Sequence, residues 1–368
     1  MNLIKVYLLI LTGIFSISLK PDSVGFRYEI LAEDLNRPWG IAIVDNDHVI
    51  FTELSGQLRQ IKEDKLVEEP VKGVPSVLFK GQGGLSGVTV DPDFKSNNII
   101  YLAFSSRDEG KRTNTLKVIR AELIDNSLKN IKEIFSAFPS RNTALHYGAK
   151  MAFLDDGTLL ITCGDGFNYR ESAQKLDNHF GKILRINTDG SIPDDNPFLD
   201  LSYALPEIWS YGHRNPQGLA IHPSTRQIWE AEHGPRGGDE VNIVLKGHNY
   251  GWPIITYGKN YSGTIISKLT HHQGMDQPVF HWTPSIAVCG IAFYDGNEFP
   301  EWNNNLLATS LKFERLHRIE LDGMNMIKDE IIYEAGSRVR DVEIGPDGMI
   351  YVALEDPGRI VKISRYSK

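Results

Sequence analysis

Residues 217–232 read Q-G-L-A-I-H-P-S-T-R-Q-I-W-E-A-E. Two short apolar runs, 218–222 and 227–231, flank a turn built from His-Pro-Ser-Thr. Short apolar runs joined by turn residues predict a β-hairpin. Just before it stands Y-G-H-R-N-P at 211–216, and just after it H-G-P-R-G-G-D-E-V-N at 233–242 and K-G-H-N-Y-G-W-P at 246–253. A hairpin brings its two flanks to one end. His213, Arg214 and Asn215 are therefore expected beside Glu232, His233, Gly234, Pro235, Asp239 and Glu240. An arginine-amide pair facing a Gly-Pro turn and carboxylates suits an anionic ligand with a hard cation, which takes carboxylate and backbone carbonyl oxygens.

The same pattern recurs five more times. Copies begin at Trp39 (W-G-I-A-I-V-D-N-D-H-V-I-F-T-E-L), Leu85, Gly148, Cys289 and Arg340 (R-D-V-E-I-G-P-D-G-M-I-Y-V-A-L-E-D). Four of their turns carry Asp-Gly or Asp-Pro, and further strands are expected at 56–61, 115–123, 182–187, 315–321 and 359–363. Helical 3.6-residue periodicity is absent over long stretches. Six copies spaced by about 50 to 70 residues, with about four strands each, predict an all-β, six-bladed β-propeller over residues 35–368. A β-sandwich of similar length does not explain the sixfold recurrence.

A propeller makes a geometric prediction. The first strand of each blade lines the central channel and the second runs back, so residues entering strand one and leaving strand two share a face. Gln82, His146, Arg214, Asn215, Arg338 and Arg340 precede first strands; Gly234, Pro235 and Lys312 follow second strands. Three arginines, a lysine, a histidine and two amides then converge on one mouth. Arginine suits bidentate carboxylate binding, so the mouth suits a polyanionic small molecule.

The rest of the composition sets bounds. The chain has 368 residues, 41% hydrophobic and 23% charged, with net charge −8. No basic block points to nucleic acid. Residues 1–18 carry one charge, Lys5, before an apolar run from Val6 to Ile17, and read as a signal peptide or N-terminal anchor of an exported, periplasmic or extracellular protein. Residues 19–34 read as a lead-in. Cys163 and Cys289 sit in apolar strand contexts and are expected as buried free thiols rather than a disulfide.

Six motifs together resemble the soluble quinoprotein glucose/sorbosone dehydrogenases: G-Q-G-G-L-S-G-V at 81–88, G-H-R-N-P-Q-G-L at 212–219, E-H-G-P-R-G-G-D-E at 232–240, N-Y-G-W-P at 249–253, S-L-K at 310–312 and R-V-R-D-V at 338–342. The resemblance runs from about Leu35 to Ile363. It implies a six-bladed propeller that uses pyrroloquinoline quinone (PQQ) and calcium (Ca2+) to oxidise aldose sugars at C1, passing electrons to a separate acceptor. His146 matches the general base, a role suited to a near-neutral pKa. Gln82, Arg214, Asn215, Lys312, Arg338 and Arg340 match residues that hold PQQ. The Gly234 and Pro235 carbonyls match ligands of the calcium beside PQQ, and Glu240 with the Tyr250 carbonyl matches a second calcium site. The sequence departs from the glucose enzymes at Leu145, where they carry an acidic residue, and at Asn260, where they carry an aspartate. It is also shorter between Trp252 and Trp282, which implies a more open cleft and broader aldose specificity.

Plainer readings stand beside these. His213 and His233 are expected in structural roles. Arg338 and Arg340 could pair with Asp341 or Glu343, Lys312 could cap a strand, and Asp239 with Glu240 could form a solvated turn. Asp165, Asp177 and His179 read as ordinary loop polars, residues 107–112 as a solvated loop, and Trp39 and Trp252 as blade-packing residues. Two other functions fit a propeller. A calcium-dependent lactonase would need a carboxylate-rich central metal site, and a non-enzymatic protein- or glycan-binding propeller would need neither His146 nor the Gly-Pro turn.

Overall fold

Each recurring segment folds as the predicted hairpin, and each hairpin grows outward into a four-stranded antiparallel sheet. The structure is a computed structural model that describes residues 25–366. Residues 1–18, read as a leader, lie outside the described residues. Six sheets form six blades. The innermost strands are Pro38–Asp45, Leu85–Val90, Gly148–Phe153, Pro216–Ile221, Val288–Phe293 and Val339–Ile344. The additional strands fall within two residues of their expected positions, for example Gln57–Lys62 and Asn114–Ile124.

The lead-in is part of the ring. Phe26–Leu35 pairs antiparallel with Gly358–Arg365, with Ile30 opposite Val361. It supplies the outermost strand of blade six, so the propeller begins nine residues before Leu35, and the first and last described strands close one sheet. Sheet edges are liabilities, and mixing N- and C-terminal strands removes the seam at which the ring could open.

Six apolar clusters hold the ring together, one between each pair of neighbouring blades. Blades two and three share Tyr101, Met151 and Ile161; blades four and five share Trp229, Val288 and Phe293. Alternation along each strand therefore serves two neighbours at once, which explains runs such as V-C-G-I-A-F that are buried throughout.

Two features of the innermost strands position the site. In all six blades the register shifts near the start of this strand, as between Gly148 and Met151 or Pro216 and Gly218. Bulges of this kind re-aim side chains at the rim of a sheet. One step further in, four blades place glycine where the neighbouring blade comes close. A Cβ on Gly40, Gly87, Gly218 or Gly290 would overlap Ser86, Ala149, Cys289 or Asp341 respectively. The corresponding residues of the two opposed blades, three and six, are Lys150 and Asp341. Lys150 Nζ donates to both Asp341 oxygens at 2.8 Å and to Glu343 Oε1 at 2.9 Å, bridging the channel beneath the mouth.

Candidate active site

The hairpin of blade four pairs Pro216 with Glu232, so the two polar flanks meet as expected. Glu232 organises the meeting. Its Oε2 accepts the main-chain N–H groups of Arg214 and, at 3.0 Å, of Asn215. The Arg214 guanidinium then donates to the carbonyls of His233 at 2.6 Å and Gly234 at 3.1 Å, and lies over the Trp252 ring. Asp239 is buried rather than part of a solvated turn. Its Oδ1 accepts the Gly234 N–H at 2.9 Å, and its Oδ2 accepts the Ser285 hydroxyl and the Val288 N–H. A carboxylate thus sets the Gly234–Pro235 turn from below.

His146 stands where blade three begins. It is buried and adopts φ of +51°, a backbone region disfavoured for a non-glycine residue, and Gly148 follows at +71°. Three contacts hold it there. Gln82 Oε1 accepts the His146 N–H at 2.7 Å, Arg141 Nη1 donates to its carbonyl at 2.8 Å, and Asp165 Oδ1 accepts Nδ1–H at 2.7 Å. Asp165 also accepts the Phe167 N–H at 2.7 Å and the Trp252 Nε1–H at 2.8 Å. Neither residue has the plainer role expected of it: Asp165 is not a loose loop polar, and Trp252 does more than pack blades. Asp177 and His179 fit the plainer reading. Asp177 is exposed and bonded to Asn178, and His179 pairs with Glu207.

With Nδ1 committed to Asp165, His146 Nε2 has no hydrogen-bond partner among the described residues and faces a cavity of about 310 Å³ lined also by Phe167, Arg170, Arg214, Pro235, Asn260 and Tyr261. Burial, followed by the charge of Arg214, lowers the His146 pKa below its ordinary 6.5 against the opposing pull of Asp165. Burial works to raise Asp165, yet its hydrogen bond and attraction to His146 carry it below the usual carboxylate value. The result is an imidazole neutral at pH 7, with its lone pair on the cavity side.

Pro235 also lines a larger, adjoining cavity of about 1140 Å³ with His233, Gly234, Lys312 and Arg338. Arg340 lies deeper, stacked 3.7 Å from the Trp39 ring centroid, so Trp39 too does more than pack blades. The carboxylate partner of Arg338 and Arg340 is neither Asp341 nor Glu343, which are taken by Lys150. It is Glu355, which Arg37 shares. Three guanidiniums around one carboxylate leave a cationic excess. Among the described residues, Arg340 Nε is buried without a partner and exposed Lys312 donates only to the Ser285 carbonyl at 3.1 Å. This donor-rich, charge-unbalanced wall fits a polyanion such as the tricarboxylate PQQ.

The Pro235 and Tyr250 carbonyl oxygens suit hard cations, whereas the Gly234 carbonyl also accepts the Arg214 guanidinium at 3.1 Å. Pro235 and Tyr250 are buried, and their carbonyls accept no hydrogen bond among the described residues. Glu240 and Tyr250 line one small space with Glu232 and Gly238. Burial, then repulsion from Glu232 and Glu230, raises the Glu240 pKa well above normal, the environment a cation would relieve. Asn260 lines the His146 cavity and accepts from Arg170 at 3.3 Å, so it does not join the Glu240–Tyr250 space. His213 is buried as a structural histidine would be, stacked on Tyr250. His233 instead lines the large cavity. Cys163 and Cys289 are buried free thiols.

The comparisons agree with this architecture. The model of the glucose/sorbosone dehydrogenase family matches residues 35–362. Aldose sugar dehydrogenase YliI of Escherichia coli is 40% identical over 342 residues, covering 91% of this chain and 92% of that protein. A crystal structure of the soluble aldose sugar dehydrogenase of Escherichia coli in its apo form superposes with a TM-score of 0.89 at 39% identity, covering 93% of this chain and all of that one. Quinoprotein glucose dehydrogenase B of Acinetobacter calcoaceticus is 26% identical over 426 residues, covering 93% of this chain and 88% of that protein. The chain belongs to the glucose/sorbosone dehydrogenase family.

Proposed function

We propose that this member of the glucose/sorbosone dehydrogenase family oxidises aldose sugars at C1 to lactones, using PQQ and calcium bound at the mouth of the propeller. The observation that carries the reading is His146. Its Nδ1–H is held by buried Asp165 while Nε2 opens on a cavity that adjoins the cationic mouth through Pro235.

Arg338, Arg340 and Lys312 would hold the PQQ carboxylates, and the Gly234 and Pro235 carbonyls the adjacent calcium. When bound, PQQ supplies the acceptor for an electron pair and calcium a Lewis acid beside it. His146 Nε2 takes the proton of the sugar C1 hydroxyl. Asp165 keeps the other ring proton on Nδ1 and offsets the positive charge that the imidazole gains. Arg214 keeps the resting imidazole neutral and ready to accept. Trp252 fixes the second oxygen of Asp165, so the carboxylate cannot swing away from the ring. The quinoprotein named among the relatives supports the cofactor, and the shared family supports the substrate class.

A lactonase reading is not favoured. The two channel carboxylates, Asp341 and Glu343, are occupied by Lys150, and the residue above them is Arg340. Reconstitution tests the proposal. The purified apoprotein is mixed with PQQ and calcium and assayed against a panel of aldoses with a dye acceptor, beside His146→Ala. Saturable activation that the substitution abolishes supports it. Absence of PQQ binding overturns it and puts a non-enzymatic binding propeller ahead.

A further inference from the structure

Blade four carries a second group of buried charges that sugar oxidation does not use. Glu230 and Glu232 lie two residues apart on the strand Ile228–Glu232, so their side chains leave the same face. His213 is brought against them by the turn after Ile208–Tyr211. One ligand-type atom from each of the three lies within 4.8 Å of the others, and all three residues are buried.

Two ligand-type atoms of the group are unsatisfied. His213 Nδ1 and Glu230 Oε2 are buried with no hydrogen-bond partner among the described residues, and His213 Nδ1 stands 3.6 Å from Glu230 Oε1. The remaining polar atoms are held so as to orient the group. Ser210 Oγ bonds His213 Nε2 at 2.8 Å, Asn242 Nδ2 donates to Glu230 Oε1 at 2.7 Å, and Tyr250 stacks on the imidazole at 4.6 Å. Supporting bonds that fix ring and carboxylate orientation are typical of metal-binding shells.

No lysine or arginine pairs with either glutamate among the described residues. Arg214 spends its guanidinium on carbonyls, and buried Lys182 donates to the Ser172, Ala173 and Phe180 carbonyls. Two carboxylates buried without a counter-charge are strongly unfavourable. Without a cation, the group must go neutral and still leaves the His213 Nδ1 and Glu230 Oε2 atoms without a hydrogen-bond partner among the described residues. A bound ion is the other solution, and it is the one that also uses the orphaned imidazole nitrogen.

We propose that His213, Glu230 and Glu232 form a buried site for a divalent transition ion of the zinc or manganese class, separate from the calcium positions at Gly234, Pro235, Glu240 and Tyr250. The imidazole nitrogen sets the class. Calcium selects all-oxygen sites, whereas a histidine with two carboxylates suits zinc and its neighbours. Glu232 also lines the Glu240–Tyr250 space, so it stands between the two kinds of site. Through Glu232, which holds the main chain of Arg214 and Asn215, the ion would brace the arginine that sets the His146 pKa.

Metal analysis of the intact protein tests this, with no quinone or sugar present, so its outcome is independent of the proposed reaction. The full chain is purified without chelator and dialysed against excess calcium. Its zinc, manganese and calcium contents are then measured by plasma mass spectrometry, and the stripped protein is titrated with cobalt(II) while the visible absorption is recorded. The proposal expects a single transition ion retained per chain despite the calcium, and cobalt bands of a protein-bound nitrogen–oxygen site. Glu230→Gln and His213→Gln should lose both while the calcium content stays. Should those variants fail to fold, the wild-type stoichiometry and cobalt spectrum decide alone. Transition metal far below stoichiometric with only the aquo-ion spectrum, or an ion retained by folded Glu230→Gln, overturns the proposal. It then leaves neutral, protonated carboxyls as the way this pocket is stabilised.

Discussion

Replacing Asp165 with Asn keeps the size of the side chain and removes its charge. Asp165 faces three N–H donors: His146 Nδ1 and Phe167 N on Oδ1, and Trp252 Nε1 on Oδ2. A carboxylate accepts all three. An amide has one oxygen and one NH2 group, and the NH2 must face a donor in either orientation. With the oxygen toward His146, the Trp252 bond is lost. With the NH2 toward His146, the ring is forced to carry its proton on Nε2, and the base is disabled. In the better case the imidazolium formed during proton transfer still lacks its counter-charge. Opposite charges about 4 Å apart at an effective dielectric of about 20 attract by about 4 kcal/mol. At about 1.4 kcal/mol per decade, kcat should fall by about three orders of magnitude.

The assay is kcat with saturating aldose and dye on protein reconstituted with PQQ and calcium, paired with a titration of PQQ stoichiometry. The expected result is full PQQ loading with kcat reduced about a thousandfold. A folded, PQQ-loaded Asp165→Asn enzyme within tenfold of wild type would refute the assignment of His146 Nε2 as the base, because the position of that lone pair depends on Asp165.

Other consequences can be checked separately. Since burial and Arg214 hold His146 below 6.5, kcat/KM should be level above that pH and fall only below it; Arg214→Met removes an opposing charge and should move the acid limb upward, and an unmoved limb argues against His146 as the titrating group. Lys312→Ala deletes a donor with no carboxylate partner among the described residues, and should weaken PQQ half-saturation by about ten- to a hundredfold with kcat at saturation little changed. Lys150→Met strips the channel bridge from Asp341 and Glu343 and should destabilise the fold by about 3 kcal/mol, read as a fall in the denaturant midpoint; an unchanged midpoint would mean that the pair is structurally idle.

The fold was legible because one hairpin pattern recurs six times. In four blades the innermost strand passes close to the next blade, so glycine appears at Gly40, Gly87, Gly218 and Gly290 within otherwise buried apolar runs. Asp-Gly, Asp-Pro and His-Pro turns mark where five of the six hairpins reverse. The convergence of Arg214, Arg338 and Lys312 followed from the same geometry, since strand entrances and exits share a face. Which polar residue serves which partner did not follow. Asp165 leaves the second strand of blade three just as Gly234 leaves that of blade four, so the rule that found the Gly-Pro turn also pointed to it. In isolation, though, an aspartate after a glycine reads as a turn former. Glu355 was hidden for the same reason, at the exit of blade six, although it neutralises one of the three arginines around it. The lead-in strand was missed because its apolar pattern is weak: Tyr28 and Ile30 are exposed on an outer edge, and backbone pairing with Gly358–Arg365 places it. Sequence pattern thus located positions that must be small or apolar. Charge pairing depends on distances across blades, as with Lys150 and Asp341, which lie 191 residues apart and meet only when the ring is closed.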